Sequence, residues 1–155
     1  MESQFPLAPK VVTLISNHTL TANYTDTGAS GVVETNFANF VGLMIAYTKG
    51  TEASCNIKVE GTVDKSLGIL LDTDTPGGTT QASLASATNW FQRVVETTSS
   101  GVTTLTADVF QLSASGNYSE NITPVKGDGI RVSVLGNTLS TSPGTITIYG
   151  VISWV

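Results

Sequence analysis

The closing stretch, Gly129 to Val155, constrains the fold more than any other part of the chain. It reads GIRVSVLGNTLSTSPGTITIYGVISWV. Ile130, Val132 and Val134 alternate with Arg131, Ser133 and Leu135, a period of two that puts one face in a core and the other outward. Gly136-Asn137 and Ser142-Pro143-Gly144 supply turn chemistry. Ile146, Ile148 and Ile152 then resume the pattern, and Tyr149, Val151 and Trp154 make the final run apolar on both faces. The stretch predicts two long antiparallel strands, the last buried on both sides. An end this apolar is expected to be covered, by its own fold or by a neighbouring subunit.

The same rhythm runs through the chain. Asn39 to Lys49 predicts a central strand that is apolar on both faces. Cys55 to Val63 alternates Cys55, Ile57 and Val59 inward against Asn56, Lys58 and Glu60 outward, and Lys49-Gly50-Thr51-Glu52 reads as the turn of a hairpin joining the two. Shorter strands are expected at Val11 to Ile15, Leu20 to Tyr24, Leu67 to Leu71 and Asn117 to Thr123, with a small bridge at Gly31 to Glu34. Val102 to Leu112 reads as one alternating strand. Thr88 to Thr98 reads as strand from its Thr, Trp, Phe and Val content, although Leu84, Phe91 and Val95 would also share one side of a helix. Asp72 to Ser86, with Pro76-Gly77-Gly78 inside it, reads as a long loop, of the kind usually functional or mobile. Eight to ten strands with Gly, Asn and Pro turns predict an all-β fold, a single antiparallel β-sandwich or jelly roll spanning residues 11–155.

Composition supports strands over helices. The 155 residues suit one domain. Charged residues make up 12%, about half the usual share. Thr is abundant and Lys and Glu are scarce, which favours strands with Thr/Ser outer faces. The net charge is −5 and the basic residues are dispersed from Lys10 to Arg131, so no cluster is present to track a phosphate backbone and no nucleic-acid partner is expected. No apolar run approaches about 18 residues, and no membrane partner is expected. The opening MESQFPLAPK has no positively charged start followed by an apolar run, which predicts folding in the cytoplasm. Residues 1–10 carry Pro6 and Pro9 around Phe5 and Leu7 and predict an extended arm, either frayed or docked on a neighbour or on the domain's own edge.

Chemistry is sparse. One histidine, His18, is expected in a turn, and Ser–His or Cys–His catalysis would have to use it. There is no G-x-S-x-G elbow, Walker loop or G-x-G-x-x-G sequence. The one cysteine, Cys55, permits no internal disulfide, and its alternation with Ile57 and Val59 predicts a buried thiol. One Cys and one His do not make a closed zinc site. Asp72-Thr73-Asp74 opens like a calcium loop, but Pro76 stands where a third ligand belongs and Ser83 where the closing Glu belongs. Most acidic residues, Glu60 and Asp108 among them, are expected to face outward. Asn-x-Ser/Thr sequons at Asn17, Asn23, Asn117 and Asn121 read as chance in a chain rich in Asn and Thr. Trp90, Trp154, Tyr24, Tyr118 and Tyr149 could form a sugar platform, though strand aromatics more commonly fill cores. No catalytic residue, cofactor or metal is expected.

The order of these pieces resembles a known group. A central strand at Phe40 to Lys49 runs into a Thr/Gly turn. N-I-K-V-E-G within Cys55 to Gly61 follows, then a variable loop, the aromatic strand Asn89 to Val95 and a late Pro124. I-R-V-S-V within Gly129 to Leu135 and G-T-I-T-I-Y at Gly144 to Tyr149 make a closing hairpin. In this the chain is similar to the jelly-roll or sandwich decoration (cement, auxiliary) proteins of bacteriophage heads. The resemblance implies a structural virion protein rather than an enzyme, made in the host cytoplasm and placed on the head surface. It would act as a homo-oligomer, often a trimer, bridging capsomers of the major capsid protein. Phe5, Pro6, Leu7 and Pro9 of the arm would then be a clasp, and Tyr149, Val151 and Trp154 of the closing strand a subunit seam. The competing expectation is a carbohydrate- or receptor-binding module of a phage tail or fibre, using Asp72 to Ser86 and nearby aromatics.

Overall fold

The computed structural model describes residues 8–25, 32–35, 38–63, 73–75, 78–80, 90–122, 127–139 and 141–154. Every regular element among them is a β-strand. Two sheets form an antiparallel sandwich. The first holds β1 (Lys10–Thr19), β13 (Thr145–Ser153), β3 (Phe40–Thr48) and β11 (Gly116–Asn121), side by side in that order. The second holds β10 (Val109–Leu112), β4 (Ser54–Thr62), β12 (Gly129–Asn137) and β2 (Val32–Glu34), with the short β7 (Phe91–Gln92) beside β10 on β4. Two ladders stand apart from these sheets: β5 (Thr73–Thr75) with β6 (Gly78–Thr80), and β8 (Val94–Ser99) with β9 (Val102–Ala107).

The core forms where the inward residues of the two sheets meet. Val41, Leu43, Ile45 and Tyr47 of β3 and Ile146, Ile148 and Ile152 of β13 face Cys55, Ile57 and Val59 of β4 and Ile130, Val132 and Val134 of β12. All are buried, and most are β-branched, the shape that packs best on a pleated surface. Leu14 and Ile15 are both fully buried, which two register shifts in β1 make possible. Cys55 is buried as expected, and burial, with the nearby Glu52 charge, pushes its thiol up to about 12.

Several expectations are corrected. Neither expected hairpin is one. β3 and β4 lie in different sheets, as do β12 and β13, so each connection crosses from sheet to sheet. Period-two alternation is the same for a strand paired beside its neighbour and for one facing it across a core. β3 and β13 are central but not apolar-buried on both faces: Met44 and Tyr149 stand exposed on the outer side. The first strand runs on to Thr19 and includes His18. Leu20 to Tyr24 forms no strand, because Leu20 drops into the core and the following residues reach β12 only through the Thr25–Val134 bridge and the Gly136 N–H to Thr21 carbonyl bond. Val102 to Leu112 is two strands broken at Asp108. Thr88 to Thr98 resolves within its described part into β7 and β8, with no helix. The expected loop at Asp72 to Ser86 contains the β5–β6 ladder. Leu67 to Leu71, the rest of that loop and Met1 to Leu7 of the arm lie outside the described residues.

Candidate functional site

The two outer faces of the sandwich differ in charge. On the first sheet the register puts Val11, Tyr149 and Met44 on the outer side of β1, β13 and β3. Tyr149 lies directly between Thr13 and Met44, and Ser119 of β11 completes that row. Val11 pairs with Val151, and Val151 with Gly42, in the next row. The Phe40 ring lies over Gly42, 3.1 Å from where a Cβ would stand. The remaining outward positions of β3, β13 and β11 are Ala, Thr, Ser and Asn, so none of these three strands presents a charged side chain on this side. Val11 is 64% exposed and Met44 53%. Exposed apolar side chains grouped on an uncharged sheet face make this a candidate interaction surface.

The second sheet's outer face is polar. Glu60 accepts from Arg131 Nε at 2.7 Å and pairs with Lys58 Nζ at 3.4 Å. Each cation is capped by a ring: Lys58 lies 4.9 Å from the Tyr24 centroid and Arg131 4.5 Å from that of Trp90. Glu60 is therefore outward, as expected, yet buried beneath its partners. Burial pushes its carboxyl up, but the Arg131 hydrogen bond and the two positive charges outweigh that and hold it low. Farther along β4 the amides join up. Asn137 Nδ2 donates to Asn56 Oδ1 and to Ser54 Oγ, both at 2.9 Å, and Gln111 Nε2 donates to Ser54 Oγ at 3.1 Å.

A third feature projects from the sandwich edge. β7 and β10 lie end to end along β4, and the chain between them leaves as the β8–β9 ribbon. Its base is fixed by the Arg93–Asp108 ion pair at 3.1 Å and by Arg93 lying over the Phe110 ring. Its tip is Ser100-Gly101, both at positive φ (51° and 78°), the backbone of a tight two-residue hairpin turn. All twelve strand residues are exposed. Leu105 is 66% exposed and Val102 63%.

The expected site residues separate. Tyr149 and Val151 share the uncharged face. Trp154 turns to its own fold: its indole Nε1 donates to the Thr35 carbonyl at 2.9 Å, and Asn39 Nδ2 donates to the Trp154 carbonyl. Pro9 is exposed just before β1, while Phe5, Pro6 and Leu7 lie outside the described residues. Met44, Val11 and the ribbon valines were not singled out by sequence reasoning. The signal for the ribbon was present, since Ser100-Gly101 separates two Thr-rich runs of equal length.

His18 sits in β1 rather than in a turn, with Nε2 2.9 Å from Thr25 Oγ1. That hydroxyl also lies 3.5 Å from the Val134 carbonyl oxygen. No group of three or more metal-ligating side chains occurs among the described residues. No protein-family model, curated protein or solved structure matches the chain.

Proposed function

We propose that this protein is a structural component of a bacteriophage particle, a decoration protein that binds the outer surface of the head as a homo-oligomer and bridges neighbouring capsomers. The observation that carries this reading is the uncharged outer face of the first sheet, with Met44 and Tyr149 exposed on its central strands and Val11 on its edge strand. Burying such side chains against a partner is worth about 1–2 kcal/mol each. Each contact is modest, and repetition over a lattice multiplies it. The resemblance in the order of the sequence pieces supports the same reading.

The test is co-sedimentation of purified protein with heads that lack it. Saturable binding of the wild type, weakened at least tenfold by Met44→Glu or Tyr149→Ser, supports the proposal. No binding at any concentration contradicts it.

A carbohydrate- or receptor-binding role on a tail or fibre is favoured by a different observation. Tyr24, stacked on Lys58, and the Asn56–Asn137–Gln111 amides farther along β4 offer a ring and hydrogen-bonding groups suited to a sugar's two surfaces. A glycan array with signals removed by Tyr24→Ala would establish that role; a blank array would dismiss it.

A further inference from the structure

We infer that the cleft at the open edge between β10 and β11 receives a lysine side chain carried on an extended segment of a partner protein. The cleft lies on neither outer face, and the inference stands apart from the head reading. β10 is an edge strand of the second sheet and β11 of the first, so residues 113–115 cross from sheet to sheet and leave a gap between the two edges. The register turns Phe110 and Leu112 of β10, and Tyr118 and Glu120 of β11, toward that gap. Each pairs with a buried, inward residue: Ile57, Cys55, Ile45 and Leu43 in turn. With Ile45 they line a cleft of about 190 Å³. Sites for drug-sized ligands run to about 300–1,000 Å³, so this one suits a single side chain. Its Tyr118 wall is held in place, because the phenol donates to the Ala114 carbonyl at 2.7 Å.

The lining selects the chemistry of the occupant. Chain order puts Leu112 and Tyr118 at the end closed by residues 113–115, and Phe110 and Glu120 farther from it. The closed end suits an alkyl stem, and a ring beside a carboxylate suits the cation that ends it. Glu120 is exposed and makes no hydrogen bond or ion pair among the described residues. The cations attached to the walls are committed elsewhere. Arg93, over the Phe110 ring, pairs with Asp108 at 3.1 Å, and Lys49 Nζ donates to the Ser113 carbonyl at 2.8 Å. A carboxylate on the core side of an edge strand repels an apolar strand and admits one that brings a positive charge. Lysine meets both demands, with a flexible four-carbon stem and a compact ammonium.

The walls themselves point to a peptide rather than a free amine. β10 and β11 each pair with one strand only among the described residues, β4 and β3. Each therefore keeps a line of main-chain N–H and C=O groups on its open side. An extended segment laid along either edge would complete those groups while its lysine enters the cleft.

Nuclear magnetic resonance titration of the full chain tests this, with the peptide acetyl-Thr-Thr-Lys-Thr-Thr-amide as probe. Saturable shifts at Ile45, Leu112 and Tyr118 are expected, and the same peptide with norleucine for lysine should bind about fivefold more weakly or worse. Glu120→Gln should weaken the lysine peptide by a like factor. Its side chain is exposed, so the fold should survive, and an unchanged thermal midpoint verifies that. No shift at peptide concentrations up to about 20 mM would overturn the inference. Equal binding of the two peptides, or indifference to Glu120→Gln, would overturn it as well. Binding of n-butylammonium as tight as that of the peptide would overturn the peptide as the source. The head reading fails separately: protein that takes the lysine peptide and binds no heads keeps the cleft and loses the head.

Discussion

Glu52 shows how one residue can hold two sheets together. It is 1% exposed, in the connection that crosses from β3 to β4. Tyr47 donates its hydroxyl to Oε1 at 2.6 Å, the Gly50 N–H donates to Oε1 at 2.9 Å, and the Gly144 N–H donates to Oε2 at 2.8 Å. The carboxylate thus ties the end of β3 to the turn before β13. Burial pushes its carboxyl up, but the Tyr47 hydroxyl and backbone donors outweigh that and hold it below the ordinary carboxylate range. The same contacts, after burial itself, push the Tyr47 phenol up, so it stays a donor. A carboxyl lowered in the folded state contributes stability that is full above its unfolded value and is lost as pH falls through its folded value. Glu60 is lowered as well and acts in the same direction. Urea unfolding should therefore show stability falling below about pH 4, and Glu52→Gln should flatten part of that fall while costing about 2–3 kcal/mol at neutral pH. A neutral-pH loss under about 0.5 kcal/mol would mean the staple is not structural. From the sequence Glu52 reads as a turn residue and Glu60 as an outward strand residue. Both positions are right in one dimension; their burial depends on partners up to 92 positions away, which alternation does not reveal.

At the scale of elements, the strands were legible and their partners were not. The inward sets of β3, β4, β12 and β13 follow directly from alternation, because a period of two is a property of one strand. Which sheet a strand joins is a property of its connections. The crossover at Gly50 to Glu52 and the turn at Ser142 to Gly144 pack so closely that a Cβ on Gly144 would run into Glu52 Oε1 and the Thr48 carbonyl. Gly144→Ala should cost about 2 kcal/mol or more, seen as a lower thermal midpoint; a neutral result would mean this corner is looser than drawn. Gly101, at the ribbon tip, has φ +78° with open space around it. Gly101→Ala should then cost only about 1 kcal/mol of backbone strain and act on the ribbon alone. Excising residues 94–107 and joining Arg93 to Asp108 through Asn-Gly should leave the sandwich melting as before, since the ribbon contributes nothing to the core. Unfolding of that variant would show the ribbon to be integral to the fold.

For the whole molecule the main feature is asymmetry between faces. One outer face carries a Glu60-centred ion network and linked amides; the other carries only uncharged groups, hydroxyls and amides around the Met44 thioether and the Tyr149 phenol. The scarcity of charge was legible from composition, but its concentration away from one sheet was not. Alternation locates outward positions without saying which of them share a sheet. Association through the uncharged face should be nearly indifferent to sodium chloride, because screening has no charge pair to act on there, and should tighten in sulfate. A steep weakening with salt, followed by light scattering, would move the interface to the charged face. The proposed role of this protein is to cover a phage head. Quantitative mass spectrometry of purified particles, giving its copy number relative to the major capsid protein, tests that most directly. A ratio near one, or a simple fraction of it, is expected; a handful of copies, or none, would contradict that role.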